Sequence, residues 1–297
     1  MSAQATRAGF VALAGRPNVG KSTLVNALVG HKVAIVSDRP QTTRRAIRGV
    51  AMAGVTQLVL VDLPGVQRPR DALTKRMQRR VVAELSEADA ALMVLNAMEG
   101  VGPGDRFIAD LLRASGTPVV AAINKIDRLD RSATVAMLAA TAELELADEI
   151  FPVSARTDKG VGALREHLAA LMPSGPFLFA VDEHSDQSLD VILAELVREQ
   201  VLRRTFQEVP HSVEVMIDEI ERREDDLTMV RALVWVETES QKGILIGAGG
   251  RMVKAIGSAA RRELARELAT RVHLELSVRV RRGWRGDDGL LDRLGIE

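Results

Sequence analysis

The sequence of 297 residues contains no cysteine. This absence excludes a disulfide framework and any metal site built from thiolates. It suits a reducing compartment, although drift in composition explains it equally well. The chain also lacks an apolar run near the roughly 18 residues that cross a bilayer, and its N-terminus lacks the charged start and apolar core of a signal peptide. We therefore expect a cytoplasmic protein.

The net charge of the chain is zero, and the sequence contains no visible internal repeat. The 40 Lys and Arg residues balance 40 Asp and Glu residues, so the overall charge predicts no class of partner. The 5 histidines are scattered along the chain and indicate no metal cluster. With 46% hydrophobic residues, the chain is long enough for about two globular domains with cores of their own.

Short apolar runs alternate with helical patterns from Gly9 to about Met172. This alternation predicts an α/β fold with a mostly parallel sheet and helices on both faces. In the helical stretches, such as 74–85 and 161–171, apolar residues recur at helical spacing. The runs expected to form buried strands are Phe10–Ala14, Leu58–Val61, Ala91–Leu95, Val119–Ile123 and Ile150–Val153.

A glycine-rich stretch with a lysine and a hydroxyl residue follows the first run. Its glycines are spaced so that backbone N–H groups can surround a polyphosphate, and the strand before it and the helix after it are the context that a phosphate loop requires. We expect Lys21 to hold β- and γ-phosphate oxygens and Ser22 to bind Mg²⁺ at the helix N-terminus. The residues of this loop are Gly15, Arg16, Pro17, Asn18, Val19, Gly20, Lys21 and Ser22.

A second motif stands at the end of the next predicted strand. Asp62 is expected to contact Mg²⁺ through water, and the N–H of Gly65 to contact the γ-phosphate. Loss of that phosphate on hydrolysis would release the adjoining segment. An isolated Asp-x-x-Gly is common by chance, and its place after a strand makes this one informative. The motif consists of Asp62, Leu63, Pro64 and Gly65.

A third motif identifies the base. The carboxylate of Asp127 can accept two hydrogen bonds from the edge of guanine that adenine cannot donate, and a buried polar group left unpaired makes rejection of the wrong base strong. Asn124 is expected to tie this loop to the phosphate loop, and the stem of Lys125 to cover the base. The motif is Asn124, Lys125, Ile126 and Asp127, and Ser154 and Ala155 are expected to bring a backbone N–H to guanine O6. In parallel sheets ligands bind beyond the carboxyl ends of the strands, so the three motifs predict one guanine-nucleotide site.

Together these residues resemble the translation-factor-like GTPases. The run 15–23 with the Gln-Thr-Thr-Arg of residues 41–44 is similar to the bacterial Era family in particular, and Arg39-Pro40 strengthens the resemblance. In that family the first switch carries a threonine for magnesium. The resemblance implies Thr43 in this role, with Thr42 as the alternative and with ordinary loop threonines as a further reading.

Val66 stands where Ras-like enzymes have a glutamine. Valine cannot orient an attacking water, so we expect slow hydrolysis of GTP to GDP without a partner. The resemblance implies the class in which backbone groups and a cation place the water. Asn18 stands where related GTPases bind potassium, so we expect potassium to stimulate turnover; the alternative is that Asn18 only braces the loop. The expected catalytic residues are Lys21, Thr43, Gly65 and Asn18.

The run Pro173-Ser174-Gly175-Pro176 interrupts the helical and strand patterns, which predicts a domain boundary. We expect a GTP-binding domain over 1–173 and a linker plus a second domain over 174–297, with the core of that domain at about 207–285. Its expected elements are a helix over 188–208, a hairpin of strands 212–220 and 227–237 joined by a charged turn, a helix from Lys254 onward and an alternating strand over 272–280.

The glycine-rich loop of the second domain fits the Gly-x-x-Gly loop of a KH domain, which clamps the backbone of about four unpaired nucleotides. A turn between two helices is the alternative. The order of elements favours a KH domain, and from Ser240 onward 12 Lys or Arg face 7 Asp or Glu, which suits phosphate contacts. Gln241-Lys242 and Gly283-Trp284 resemble the C-terminal half of the Era family, which implies an α+β KH domain of type II. The residues expected to contact RNA are Gly247, Ala248, Gly249, Gly250, Arg251 and Lys254.

The resemblance spans residues 9–295 and implies a role in assembly of the 30S ribosomal subunit, with the KH domain on the 3′ end of 16S rRNA. We expect GTP to order residues 41–44 and 66–70 and hydrolysis to reverse this. We expect a monomer. Two rivals stay open: a signalling switch whose second domain binds a protein, and peripheral association with the inner face of the cell membrane.

Overall fold

The computed structural model describes residues 6–39, 42–66, 71–206, 209–223 and 226–296. Parts of the expectations above fall outside these residues. They are residues 1–5 of the first domain, Pro40 and Gln41 of the first switch, 67–70 of the second switch, 207–208 at the start of the KH core, 224–225 in the charged turn, and Glu297.

The first domain is built on a six-stranded sheet with the order β2-β3-β1-β4-β5-β6. Strand β2 runs antiparallel to β3, and the other pairings are parallel. The strands are β1 (Arg7–Ala14), β2 (Ile47–Ala53), β3 (Thr56–Asp62), β4 (Ala90–Asn96), β5 (Val119–Asn124) and β6 (Ile150–Pro152). The predicted apolar runs form five of them. Strand β2 gives no such signal, because Arg48 and Gly49 interrupt its apolar residues at the edge of the sheet.

Helices cover both faces of this sheet because alternate residues of each strand point to opposite sides. Val11 and Leu13 of β1 pack in a core with α1 and α5, whereas Ala12 and Ala14 pack in a second core with α2, α3 and α4. The helices are α1 (Lys21–Val29), α2 (Ala72–Glu87), α3 (Pro103–Ser115), α4 (Arg131–Ala142) and α5 (Val161–Leu171). The α/β prediction is confirmed.

The segment 172–188 connects the domains along the surface of the first one. Ser185 pairs with Gly49 of β2 through an isolated antiparallel bridge. The buried Gln57 donates its amide to the carbonyl of Phe179 at 2.9 Å and accepts the Phe179 N–H at 3.0 Å. These contacts fix the point from which the second domain begins.

The second domain has a three-stranded sheet with the order β7-β8-β9, in which β7 is antiparallel and β9 parallel to β8. Helices α6 and α9 pack against the sheet around Val230, Val234 and Leu264. The elements are α6 (Leu189–Arg204), α7 (Val209–Ser212), β7 (Glu214–Arg223), β8 (Leu227–Val236), α8 (Glu239–Ile246), α9 (Arg251–Glu267), β9 (Arg271–Val280) and α10 (Asp288–Arg293). This is the predicted α+β order.

Several boundaries in this domain differ from the prediction. The helix expected over 188–208 ends at Arg204, and the first strand ends at Arg223 instead of residue 220. The strand expected from Ser212 begins at Glu214, because residues 209–212 form the helical turn α7. The helix expected from Lys254 begins at Arg251, directly after the glycine-rich loop. Trp284 is fully buried among residues of α2 and α10, so its ring belongs to a core and not to a base-stacking surface.

Helix α6 lies between the two domains. Every residue from 193 to 202 is buried, and Ile35 of the first domain joins the core that α6 shares with the second sheet. A helix buried on all sides has no single apolar stripe, and its charged residues need partners inside the protein. Within the described parts of the chain, no helix has the length and apolar character needed to span a bilayer.

Candidate functional site

The three nucleotide motifs meet at one edge of the first sheet. The phosphate loop joins β1 to α1, Asp62 ends β3, and Asn124 ends β5. Ser154 follows β6. The parallel arrangement of these strands brings their carboxyl ends together, as expected from the sequence.

The phosphate loop turns sharply between Asn18 and Lys21. Asn18 and Gly20 have φ angles of 65° and 97°. A Cβ at Gly20 would lie 2.4 Å from Nδ2 of Asn124, so only glycine fits between the two loops. Successive N–H groups in such a turn form a concave site for an anion, and the N-terminus of α1 adds its dipole.

Lys21 lies at the floor of this loop and is 6% exposed. Its Nζ donates to the carbonyl oxygens of Gly15 at 3.1 Å and Arg16 at 3.3 Å. Burial lowers the pKa of Lys21 to about 8, against the opposing attraction of Asp62. A phosphate at the loop would supply the negative charge that the buried ammonium needs, so the site favours a polyanion.

Three oxygen-bearing side chains converge beside Lys21. Asp62 Oδ2 accepts hydrogen bonds from Ser22 Oγ at 2.6 Å and Thr43 Oγ1 at 3.1 Å, and the two hydroxyls lie 3.1 Å apart. Burial raises the pKa of Asp62, while Lys21 and the two hydroxyls oppose the rise. The second oxygen, Oδ1, is buried with no hydrogen-bond partner among the described residues. Oxygen donors around an unpaired carboxylate oxygen fit the preferences of Mg²⁺.

Of the two candidate threonines, the structure places only Thr43 in this group. Thr42 turns away, and its Oγ1 donates to the carbonyl of Arg39 at 2.6 Å. The neighbouring threonines therefore have different surroundings, a distinction that the sequence pattern alone left open.

Asn124 ties the base loop to the phosphate loop, as expected. Its Nδ2 donates to the carbonyl of Val19 at 3.0 Å, and its Oδ1 accepts the N–H groups of Lys125 at 2.8 Å and Ala155 at 3.1 Å. The Nζ of Lys125 donates to the carbonyl of Asn18 at 2.6 Å. Ser154 and Ala155 were expected to bring a backbone N–H to guanine O6. In this structure the Ala155 N–H donates to Asn124, and the Ser154 N–H donates to the carbonyl of Lys159 at 2.8 Å.

Asp127 lies on the 3-10 turn Ile126–Arg128 that follows β5. The hydroxyl of Ser154 donates to its Oδ1 at 2.7 Å, which fixes the orientation of the carboxylate. Ile126 is buried and anchors the turn to the core.

The second motif is pressed against the phosphate loop. A Cβ at Gly65 would lie 2.9 Å from the backbone nitrogen of Pro17. Leu63, Pro64 and Val66 are buried, and the side chain of Val66 packs in the core below α2. The valine therefore offers no polar group with which to orient a water molecule.

Two further side chains anchor the phosphate loop to neighbouring loops. Asn18 donates its Nδ2 to the carbonyl of Asp38 at 2.9 Å. Arg16 pairs with the buried Asp105 of α3 and with Glu99, each at 2.9 Å. The backbone carbonyl of Arg16 accepts a hydrogen bond from Lys21, and its guanidinium forms ion pairs with the two carboxylates.

The glycine-rich loop of the second domain connects α8 to α9 and faces solvent. Gly247, Gly249 and Gly250 have φ angles of 69°, 60° and 77°. A Cβ at Gly247 would lie 2.7 Å from Cβ of Met252, whereas the space at Gly249 and Gly250 is open. Ala248 is exposed. The loop thus presents bare backbone, which is what close approach of a nucleic-acid backbone requires.

Two isoleucines beside this loop were not among the predicted site residues. Ile244 and Ile246 are 49% and 36% exposed at the end of α8, while Leu245 between them is buried. Three successive apolar residues cannot share one face of a helix, so the sequence already indicated that some of residues 244–246 are exposed. With the exposed Arg251 and Lys254 of α9, the loop has both apolar and basic neighbours.

Family models match both halves of the chain. One described as a 50S ribosome-binding GTPase matches residues 10–125, and one described as a KH domain matches residues 208–285. They correspond to the phosphate-loop domain and to the domain with the glycine-rich loop.

Whole-chain relatives give a more specific result. The chain is 47% identical over 294 residues to GTPase Era of Mycobacterium tuberculosis strain H37Rv, with 97% of this chain and 98% of the relative covered. It is 46% identical over 296 residues to GTPase Era of Mycobacterium avium strain 104, with 98% and 99% covered.

Two solved structures of Era superpose with a TM-score of 0.94 at 34% identity and cover 98% of this chain and 99% of theirs. One is a complex with MgGDPNP and nucleotides 1506–1542 of 16S ribosomal RNA, and the other is an Aquifex aeolicus Era variant bound to GDP·AlF4⁻. These similarities span both domains and confirm the resemblance drawn from the motifs. The chain belongs to the Era family of GTPases.

Proposed function

We propose that this GTPase uses Mg²⁺·GTP as a switch, binds 16S rRNA near its 3′ end through the KH domain, and acts in maturation of the 30S subunit. The observation that carries the proposal is the presence in one chain of the site around Lys21 and Asp62 and the open glycine loop at Gly249 and Gly250. The similar Era structure with MgGDPNP and an RNA segment supports this pairing.

In the proposed site, the phosphate loop surrounds the polyphosphate and Lys21 contacts the β- and γ-phosphates. The carboxylate of Asp127 accepts hydrogen bonds from the guanine edge, and Asn124 and Ser154 hold its loop in place. Mg²⁺ would be held by Ser22, Thr43 and, through water, Asp62, and it would neutralise charge on the phosphate oxygens. The N–H of Gly65 reports the presence of the γ-phosphate.

Hydrolysis in this proposal is slow, because Val66 cannot place the attacking water. Asn18 donates its Nδ2 to the Asp38 carbonyl at 2.9 Å, so a potassium ion held by Asn18 Oδ1 and this carbonyl would replace that hydrogen bond. The test is the hydrolysis rate in potassium and in sodium at matched ionic strength, for the native protein and for Asn18→Ala. We expect stimulation by potassium that the variant loses. Equal rates in the two salts would contradict the potassium site and leave Asn18 as a brace.

The KH domain is proposed to hold single-stranded RNA along its glycine loop. The positive φ angles of Gly249 and Gly250 leave the backbone open, and Arg251 and Lys254 supply positive charge beside it. The exposed Ile244 and Ile246 are suited to contact with unstacked bases. Binding is proposed to depend on the nucleotide through the two switch segments.

The deciding experiment is cross-linking of the protein to RNA in cells, followed by sequencing of the attached RNA. The test variant is Gly249→Asp with Gly250→Asp, which adds two carboxylates in open space where a phosphate backbone would pass. The matched control is Gly54→Asp with Gly116→Asp. Both control glycines also have positive φ and open space, but they lie in the first domain.

Reads near the 3′ end of 16S rRNA that disappear in the test variant and persist in the control would support the proposal. Diffuse reads that neither variant changes would overturn the RNA assignment and favour a second domain that binds protein. Peripheral membrane association and the monomeric state stay predictions, to be tested by flotation with vesicles of anionic lipid and by light scattering.

A further inference from the structure

A cluster of buried charges joins the two domains next to the nucleotide site. Its members come from the connection between α1 and β2, described over residues 30–39 and 42–46, and from α6 and β7. We call this segment of the first domain the α1–β2 connection. The cluster consists of Arg44 and Arg45 of the connection, Glu195 and Arg198 of α6, and Glu214 of β7.

Arg44 follows Thr43 directly and inserts into the second domain. Its NH1 donates to Glu214 Oε2 and to the carbonyl of Val213, both at 2.6 Å. Its NH2 donates to the carbonyls of Pro210 at 3.2 Å and His211 at 3.0 Å. All four acceptors belong to the second domain, so the backbone on the C-terminal side of Thr43 is fixed from there.

The charges of this contact persist at neutral pH. Burial lowers the pKa of Arg44 to about 10, with Glu214 opposing, so the guanidinium stays protonated. Burial alone would raise the pKa of Glu214, but Arg45, Arg44 and Arg198 lower it to about 2. Arg44 and Glu214 therefore form an ion pair in which both side chains stay charged.

The N-terminal side of Thr43 is held as well. Arg198 donates to the carbonyl of Thr42 and is itself oriented by Glu195 at 2.6 Å. Farther back, Glu199 of α6 accepts the N–H of Val36 at 3.0 Å. Residues of the second domain thus bracket Thr43 on both sides.

Between these two anchors, Thr43 Oγ1 lies 3.1 Å from Asp62 Oδ2 and 3.1 Å from Ser22 Oγ. We propose that Glu214 and Arg198 are positioning residues that hold Thr43 at the magnesium site and thereby raise the affinity for GTP relative to that for GDP. The inference rests on the proposed role of Thr43 as a magnesium ligand. In GTPases the γ-phosphate and its Mg²⁺ hold the switch loops, so a pre-positioned threonine favours the triphosphate.

The test uses the full-length protein and compares its affinities for GDP and for a non-hydrolysable GTP analogue, both in Mg²⁺. Glu214→Gln keeps the shape of the side chain and removes its charge. We expect it to weaken binding of the GTP analogue by about tenfold, while the affinity for GDP stays within about twofold. If Glu214→Gln does not fold, Arg198→Lys keeps the charge, removes the planar fork that reaches the Thr42 carbonyl, and is measured in the same way.

The matched control is Arg76→Met. Arg76 of α2 also joins the domains, through Asp288 at 2.8 Å and Asp292 at 2.5 Å on α10, but it has no described hydrogen bond or salt bridge to the α1–β2 connection. General loosening of the interface would lower the melting temperature in both variants. Only the variant of the positioning residue should change the ratio of the GTP-analogue and GDP affinities.

A double-mutant cycle with Thr43→Ala separates the proposed role of Thr43 as a magnesium ligand from the positioning role of Glu214. If Thr43→Ala itself leaves the preference for the GTP analogue unchanged, the proposed role of Thr43 fails. If Thr43→Ala lowers that preference but Glu214→Gln does not, or if Arg76→Met lowers it equally, the positioning role is overturned. Support requires that Glu214→Gln has no further effect on the ratio in the Thr43→Ala background.

Discussion

The ammonium group of Lys21 has a pKa close to the pH at which nucleotide binding is measured. Burial lowers the pKa of Lys21 from its ordinary 10.5 to about 8 in the nucleotide-free protein. Bound phosphates would favour the ammonium form, so binding above that pH requires uptake of a proton. At about pH 9 roughly one tenth of the free protein is protonated at Lys21, and the affinity for GDP should therefore be about tenfold lower than at pH 7.

The stability of the nucleotide-free protein should change in the opposite direction. The pKa of Lys21 is lower in the folded state than in the unfolded state, so the unfolded state binds more protons between pH 8 and 10.5. The free energy of unfolding should consequently rise with pH across this window. For Lys21 alone, the rise between about pH 7 and 9 is on the order of 1 kcal/mol.

The assay measures dissociation constants for GDP and urea unfolding at several pH values and constant ionic strength. Lys21→Met is the control, because it removes the ammonium and keeps the titration of guanine N1–H; it also removes the attraction by which Lys21 opposes the rise in the pKa of Asp62. The difference between the two proteins should show affinity falling and stability rising with pH. An identical pH dependence in both proteins would refute the assignment of the buried charge to Lys21.

Three further changes test single contacts. Asp127→Asn should shift preference from guanine toward xanthine nucleotides, because an amide can donate where the carboxylate accepts; unchanged selectivity in competition binding would refute the base assignment. Gly65→Ala places a Cβ 2.9 Å from the Pro17 nitrogen. It should weaken binding of a GTP analogue about tenfold more than binding of GDP, and an equal loss of both affinities would contradict a γ-phosphate contact. Trp284→Ala should lower the free energy of unfolding by about 3–5 kcal/mol in urea titrations, because the ring is fully buried and donates to the Ser212 carbonyl. A loss below about 1 kcal/mol would be inconsistent with a core role for the ring.

The sequence predicted most of the first domain and the meeting of its motifs at one edge of the sheet, because each step there is local or follows from parallel strands. Apolar runs identify five strands, and the carboxyl ends of parallel strands must lie together, which brings Lys21, Asp62 and Asn124 into one site. Strand β2 could not be predicted in this way, because it lies at the edge of the sheet and an edge strand needs no continuous apolar run. Its position had to come from pairing with β3.

Contacts between the domains were beyond the reach of sequence patterns. Arg44 and Glu214 are 170 positions apart, and neither has a neighbouring pattern that indicates burial. An arginine beside a switch threonine is equally compatible with solvent or phosphate contact. Only the packing of β7 and α6 against the first domain shows that it enters the interface.

Helix α6 explains why charges are found in that interface. Its residues face the KH sheet on one side and the α1–β2 connection on the other, so Glu195, Arg198 and Glu199 have no route to solvent. Buried ion pairs contribute little to stability compared with apolar packing of the same volume, but removing one partner is costly. We therefore expect this cluster to favour one relative position of its partners, because any displacement leaves a buried charge unpaired. Because Arg44 adjoins Thr43 and Arg198 donates to the Thr42 carbonyl, we expect a change at the magnesium site to alter the contacts of α6. By thermodynamic linkage, we then expect a ligand that displaces α6 to alter the affinity for GTP.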